Sequence, residues 1–276
     1  MIMESYEFLL FLAVILFATK MCGLFSRKFN MPQVVGALIA GIILGPSVLN
    51  WIDFTGTTGS YLEITAEIGV ILLMFSAGLG TDLTELKKNG IASFVIALVG
   101  VVVPLLGGFV SYAFYFHTNF NDFTEVLKAV FVGVVLTATS VSITVETLRE
   151  MGKLKGRVGT TILGAAVIDD IMGIIVLTVV TSIQDKSVKP TSVLLKIILY
   201  FVMIAIVAFF LFKCKKLIEG TGEKRRITIF AIAFCFLLSY VSEKFFGIAD
   251  ITGAYFAGLM LCNMKVGHYI EERVGV

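Results

Sequence analysis

Residues 158–182 read VGTTILGAAVIDDIMGIIVLTVVTS, an apolar run of membrane-spanning length with two adjacent acids, Asp169 and Asp170, at its centre. Between Arg157 and Asp185 the chain has no other charged residue. A charge near the middle of a spanning helix costs roughly 2.5–3.5 kcal/mol on insertion scales, and adjacent carboxylates repel each other. A structural use of this pair is therefore disfavoured, and an ion or proton site is the default interpretation.

The composition extends the membrane interpretation to the whole chain. Of its 276 residues, 58% are hydrophobic and 15% are charged, and the mean hydropathy is +0.97, which excludes an ordinary soluble domain. Nine apolar stretches of roughly spanning length follow one another at residues 6–25, 32–49, 62–79, 91–116, 125–148, 158–182, 193–212, 227–246 and 248–264. They predict an all-α polytopic membrane protein with about nine transmembrane helices. The first stretch has no cleavage pattern and predicts a retained helix.

Basic residues are concentrated in alternate loops between these predicted helices. Sixteen of the 22 fall on one side, namely Arg27, Lys28, Lys87, Lys88, Arg149, Lys153, Lys155, Arg157, Lys213, Lys215, Lys216, Lys224, Arg225, Arg226, Lys265 and Arg273. The opposite side holds Lys128, Lys186, Lys189 and Lys244. Because cytoplasmic loops are enriched in lysine and arginine, we expect a multi-pass cell-membrane protein with its amino terminus outside and residue 276 inside.

Other chemically active groups point to no further site. The net charge of +2 does not indicate nucleic-acid binding, because the membrane topology explains the basic residues and no aromatic and basic pattern predicts a strand-binding surface. His117 and His268 lie in loops or at helix ends, where solvated side chains are expected. Four widely spaced cysteines in or beside apolar helices favour packing over zinc binding or disulfides: Cys22, Cys214, Cys235 and Cys262. We expect no cofactor and no resident metal.

An internal repeat relates two segments near the ends of the chain. Residues 29–44 read FNMPQVVGALIAGIIL and residues 246–261 read FGIADITGAYFAGLML. Without a gap, five positions coincide: Gly36, Ala37, Ala40, Gly41 and Leu44 with Gly253, Ala254, Ala257, Gly258 and Leu261. A chance match between two glycine-rich apolar helices remains an alternative.

The predicted topology makes this repeat an inverted one, because the first segment crosses outwards and the second crosses inwards. Inverted repeats are typical of secondary transporters, whose sites lie near the membrane midplane where interrupted helices meet. The counterparts of the helices that hold Thr137 and Asp170 would then lie beyond residue 276. We therefore expect one complete repeat, a connecting helix and an incomplete second repeat, and we expect the 276-residue chain alone not to transport.

Residues 136–144, LTATSVSIT, crowd hydroxyl and β-branched side chains into the middle of a predicted helix. Serine and threonine hydroxyls compete for backbone hydrogen bonds, so a locally opened helix that offers carbonyl groups to a cation is one interpretation. A hydroxyl-rich contact between helices is the other, and the residues by themselves favour neither.

The motifs around the acids resemble those of the monovalent cation:proton antiporter family, especially its bacterial sodium/proton antiporters. The resemblance rests on TATSVSITVETLREMG at 137–152 and ILGAAVIDDIMGIIVL at 162–177. It continues through MPQVVGALIAGIILGPSVL at 31–49 and AEIGVILLMFSAGL at 66–79 to the segment near Gly253. It implies exchange of sodium or lithium for protons, a role in pH homeostasis, and a homodimer in the bilayer.

The resemblance also implies a division of the fold. Residues 1–90 would form three helices of a dimerisation domain, and residues 91–182 the moving core half. Residues 193–216 would form the connecting helix, and 226–276 would begin the second repeat within the dimerisation domain. Gly36, Gly41, Gly45, Gly253 and Gly258 are the predicted helix-packing glycines, although for Gly41 and Gly45 ordinary helix contacts would fit equally.

By the same resemblance, Asp170 binds the cation and the proton alternately, while Asp169 pairs with a lysine of the second repeat. Helix geometry agrees with two roles, since consecutive residues point about 100° apart. The unwound crossing segment corresponds to Thr137, Ala138, Thr139 and Ser140, of which Ala138 offers only backbone. Gly80, Glu146 and Asp250 depart from the family pattern and weaken inferences about gating and cation choice.

Two alternatives to sodium/proton exchange remain. A potassium/proton antiporter or potassium efflux system of the same superfamily is the closer one, and Asp169 favours sodium only by resemblance, because carboxylate and carbonyl ligands do not distinguish the cations without geometry. An intramembrane aspartyl protease is disfavoured, because its two acids ordinarily lie on different helices. We therefore expect a secondary transporter and not an enzyme.

Overall fold

The computed structural model describes residues 2–52, 56–184, 189–220, 224–262 and 264. Every regular element in these residues is helical. The ten α-helices are α1 (Ile2–Lys28), α2 (Gln33–Leu44), α3 (Thr57–Leu79), α4 (Leu83–Tyr115), α5 (Phe123–Thr137), α6 (Val141–Glu150), α7 (Arg157–Gln184), α8 (Pro190–Gly220), α9 (Lys224–Val241) and α10 (Asp250–Leu261), and a π-helical turn, Ser242–Phe246, follows α9.

These helices confirm the all-α polytopic fold, and each predicted apolar stretch contains helix. Seven helical segments of the described chain are long and apolar enough to cross a membrane, counting α5 and α6 as one interrupted segment. The stretches at 32–49 and 248–264 contain shorter helices than their apolar length predicts, twelve residues each in α2 and α10. Pro46 explains the early end of α2, because the residue before a proline avoids the helical conformation and Gly45 is extended.

Some predicted features lie outside the described residues. They include His268, the segment 265–276 of the expected second repeat, and the side chain of Cys214.

Helix α4 packs against both α5 and α7 over much of its length. Glycines allow the close approach to α5: Gly108 lies against the backbone of Gly133, and Gly133 in turn lies against the carbonyl group of Leu105. On the other side, the Ser93 hydroxyl donates a hydrogen bond of 2.9 Å to the Thr161 carbonyl of α7. These contacts join the helices of the predicted core half, 91–182, into one bundle.

Helix α10 crosses α3 at a reciprocal pair of glycines. Gly78 lies against the carbonyl group of Tyr255, and Gly258 lies against the carbonyl group of Phe75. The Tyr255 ring is buried, and its hydroxyl lies 3.4 Å from the Thr81 hydroxyl. A side chain at either glycine would collide with backbone, so the two helices hold a fixed mutual position.

The glycines that the sequence predicts for helix packing differ in their surroundings. Gly36 lies against the Cys22 carbonyl of α1. A β-carbon placed on Gly253 would lie 2.7 Å from the Leu238 carbonyl of α9. Each therefore packs on the helix that precedes its own. Gly45 is close to the Gly41 carbonyl of its own helix. At Gly41, in contrast, an added β-carbon would meet no atom of the described chain within 4 Å.

Candidate functional site

The helix that begins at Phe123 is interrupted at residues 138–140, between α5 and α6. Ala138 leaves the helical conformation with ψ of 111°, and Ser140 starts α6 as its N-cap by accepting from the Ile143 N–H at 3.4 Å. The last carbonyl groups of a helix lack the usual partner four residues on. The break therefore places free backbone acceptor capacity inside a segment of spanning length.

Threonine hydroxyls around the break bond to nearby backbone. The Thr137 hydroxyl donates to the Val134 carbonyl at 2.7 Å, and the Thr139 hydroxyl donates to the Thr137 carbonyl at 3.2 Å. Such local bonds offer the backbone an alternative to the helical ladder. Of the two interpretations that the sequence left open for LTATSVSIT, the structure has the opened helix.

Asp169 and Asp170 lie near the middle of the continuous helix α7, and both are half-buried. Together with the end of α5, they border a cavity of about 340 Å³. Its lining consists of Val134, Val135, Thr137, Ala138, Asp169, Asp170, Gly173, Ile174 and Leu177. The structure thus brings together four of the six predicted site residues, whereas Thr139 and Ser140 do not line the cavity.

The Asp169 carboxylate points towards α4. Its Oδ1 atom is buried without a hydrogen-bond partner among the described residues, and it lies 3.7 Å from the point where a β-carbon on Gly100 would be. Pro104 lies one turn further along α4 and lacks the N–H group that would donate to the Gly100 carbonyl. The lack of a side chain at Gly100 leaves room beside the Asp169 carboxylate.

The Asp170 carboxylate faces a different helix. Its interaction partner there is the Thr252 hydroxyl in the first turn of α10, although no hydrogen bond of standard geometry joins the two groups. The two adjacent acids therefore meet different surroundings, α4 for Asp169 and α10 for Asp170.

Sequence reasoning missed several residues of this site. Gly173 and Gly100 could not be assigned to the site from the sequence, because isolated glycines in apolar runs usually serve helix packing. Thr252 belongs to the repeated segment, but only the fold brings it to α7. One signal existed for Gly173, since it lies three residues after Asp170 and hence on the same helix face.

A second group of acids lies elsewhere, where α3, the π-helical turn and α10 meet. The carboxylate oxygens of Glu67, Glu243 and Asp250 lie within 4.8 Å of one another. Glu67 and Glu243 are exposed, and Asp250 is half-buried. Exposed acids often cluster in this way, so the arrangement alone does not define a metal site.

Comparison with known proteins identifies the family. The model of the family described as "Sodium/hydrogen exchanger, transmembrane" matches residues 12–275. The chain belongs to this sodium/hydrogen exchanger family. Membership confirms the resemblance drawn from the motifs, and it confirms the predicted class, a secondary transporter and not an enzyme.

Several sodium/hydrogen exchanger relatives are similar over nearly the whole chain. The chain is 40% identical to the probable Na⁺/H⁺ antiporter GerT of Bacillus cereus over 265 residues, or 95% of the chain and 68% of the relative. It is 39% identical to the Na⁺/H⁺-K⁺ antiporter GerN of the same organism, covering 98% of the chain and 67% of GerN. For the Na⁺/H⁺ antiporter of Enterococcus hirae the identity is 36%, with 97% and 68% covered.

A solved exchanger structure has the same fold. The sodium proton antiporter MjNhaP1 of Methanocaldococcus jannaschii, at pH 8, superimposes with a TM-score of 0.66 at 17% identity. The match covers 98% of this chain and 66% of that one. The chain thus spans about two thirds of the length of each of these four proteins.

Proposed function

We propose that this protein exchanges sodium or lithium ions for protons across the cell membrane, with Asp170 binding the cation and the proton in turn. The observation that carries the proposal is the shared cavity of the acid pair and the interrupted helix. Carboxylates and backbone carbonyl groups are oxygen ligands of the kind that can replace the hydration shell of an alkali cation. No cofactor is needed, because the cation and the proton are the only cargo.

Competition for one carboxylate couples the two ions. A protonated Asp170 is neutral and offers little to a cation, whereas an ionised Asp170 attracts one. The core moves when Asp170 has bound either a cation or a proton, and it does not move when the Asp170 carboxylate is ionised and empty. Each crossing then carries one kind of ion. This is alternating access with an obligatory exchange.

The surroundings of the two acids support different roles for them. Asp170 interacts with Thr252 of α10 and borders the cavity beside the interrupted helix, where a passing ion can bind. Asp169 points towards Gly100 with an unpaired buried oxygen, a position suited to a basic group that the described chain does not supply. We assign the alternating cation and proton binding to Asp170, and to Asp169 the pairing with a basic residue of the second repeat.

For the moving parts, we propose that the core half, predicted as residues 91–182 and including the whole of α4 from Leu83, shifts against the helices before α4 and against residues 226–276. The packing of α4 against α5 and α7 supports a rigid core, and the crossing of α3 by α10 supports a rigid second unit. The matching contacts of Gly36 and Gly253 with their preceding helices support an inverted repeat. We further propose a homodimer in the bilayer, with the amino terminus outside.

A potassium/proton exchanger is the second candidate. The observation that favours it is the 39% identity to GerN, whose name includes potassium. The ligand types at Asp170 do not separate the two cations, because selectivity depends on the number and geometry of ligands.

The test is proton movement in everted membrane vesicles from antiporter-deficient cells that express the full-length protein. After respiration acidifies the vesicles, added sodium or lithium should collapse the pH gradient, and Asp170→Asn should abolish this response, because an amide cannot bind a proton and a cation alternately. A sodium response in Asp170→Asn vesicles equal to that of the wild type would refute the assignment of Asp170 as the ion-binding residue. Equal responses to potassium and sodium would replace the first proposal with the second.

A further inference from the structure

Thr252 has a buried hydroxyl that the helix around it does not use. The residue is 1% exposed, and its Oγ1 atom has no well-formed hydrogen bond with any described residue. A buried hydroxyl without a partner is destabilising, and such groups in native proteins usually have a ligand or functional partner. The residue is the third of α10, Asp250–Leu261.

Other threonines in these helices show why the Thr252 hydroxyl is free. Thr65, Thr161 and Thr178 each donate to the carbonyl group four residues earlier, at 2.6–2.7 Å. The residue four before Thr252 is Ile248, which precedes the helix, so this internal bond is not formed. The hydroxyl therefore remains available to a group outside its own helix.

The position of Thr252 is fixed by the backbone and packing contacts of α10. Its N–H donates to the Ala249 carbonyl at 3.0 Å. One residue later, Gly253 lies against α9, and Gly258 anchors the same helix on α3. The hydroxyl is thus presented to Asp170 from a helix that cannot easily retreat.

We propose that Thr252 is a positioning residue of the ion site, which holds the Asp170 carboxylate from α10. The inference rests on the proposed exchange function. The hydroxyl proton is donated to the ionised carboxylate, and this contact fixes the orientation in which Asp170 meets the cation.

The chain provides a matched control for this role. Thr160 is also fully buried, its Oγ1 is also unpaired among the described residues, and the residue four before it, Gly156, also precedes its helix. It lies nine residues, or about two and a half turns, before Asp169 on the same helix, which is too far for its hydroxyl to touch either carboxylate. A general effect of removing a buried hydroxyl should therefore appear equally at Thr160 and Thr252.

The experiment compares Thr252→Val, Thr252→Ser and Thr160→Val in the full-length protein, using the everted-vesicle assay with sodium from micromolar to molar concentration. Losing a hydrogen bond to a charged group should raise the half-maximal sodium concentration of Thr252→Val about tenfold, with the maximal rate much less affected. Thr252→Ser should return it to near the wild-type value, and Thr160→Val should leave it unchanged.

An unchanged half-maximal concentration in Thr252→Val, or the same increase in Thr160→Val, would overturn the proposal. So would a failure of Thr252→Ser to restore affinity. If Thr252→Val does not reach the membrane, Thr252→Ala carries the same expectation. Retained exchange in Asp170→Asn would instead refute the exchange site itself, whereas loss in Asp170→Asn with normal Thr252→Val would refute only the inference about Thr252.

Discussion

Asp169 and Asp170 are neighbours in sequence, but their carboxylates meet different helices. Asp169 lies beside Gly100 of α4, and Asp170 faces Thr252 of α10. The 100° step between consecutive helical residues produces this difference without any distortion of α7. One helix can thus present an acid to each of two neighbouring helices.

This arrangement predicts unequal effects of neutralising the two acids. Asp169→Asn removes one charge but leaves the Asp170 carboxylate, so cation-dependent proton movement should persist at a reduced maximal rate. Asp170→Asn should have none. Rates in everted vesicles, normalised to the amount of protein in the membrane, measure the difference. Complete loss in Asp169→Asn together with clear activity in Asp170→Asn would reverse the assignment.

At the scale of helices, the apolar stretches were predictable because a spanning helix must satisfy all its backbone bonds internally. The break in the fifth stretch was predictable only as one of two interpretations, because the same hydroxyls could have served a helix contact. The short length of α2 follows from a local rule, the proline at position 46. The contact of Thr252 with Asp170 could not be predicted, because it depends on α10 lying across α3, far away in sequence.

The crossing of α3 and α10 makes a stability prediction. Gly258→Ala puts a methyl group against the Phe75 carbonyl, whereas Gly41→Ala puts one into open space, and both gain similar helix propensity. Gly258→Ala should lower the free energy of unfolding by about 1–3 kcal/mol, and Gly41→Ala should not.

Thermal unfolding of the purified full-length variants in detergent, followed by the fluorescence of a thiol-reactive dye, compares the two glycines directly. A clear fall in the midpoint temperature is expected for Gly258→Ala and little change for Gly41→Ala. Equal changes in midpoint temperature for the two variants would contradict the prediction, because they would show that α3 and α10 are not in close backbone contact at Gly78 and Gly258.

For the whole molecule, the acid pair belongs to the bundle of α4, α5 and α7, while Thr252 belongs to the unit in which α10 crosses α3. In the proposed mechanism, an ion bound at Asp170 would be held from one packed unit while Thr252 reaches Asp170 from the other. Movement of one unit against the other would open the site to alternate sides and would break the contact between Asp170 and Thr252. The fold class follows from the sequence pattern, but this juxtaposition exists only in the folded chain.

Proton release on cation binding tests the central claim most directly, because it requires no transport. Purified full-length protein in weakly buffered detergent solution is brought to a pH at which the site is largely protonated, and sodium chloride is added against a choline chloride control. If Asp170 binds the two ions in turn, sodium should displace protons and acidify the solution in a saturable manner, and Asp170→Asn should release none. Sodium binding without proton release, or equal release from Asp170→Asn, would contradict it.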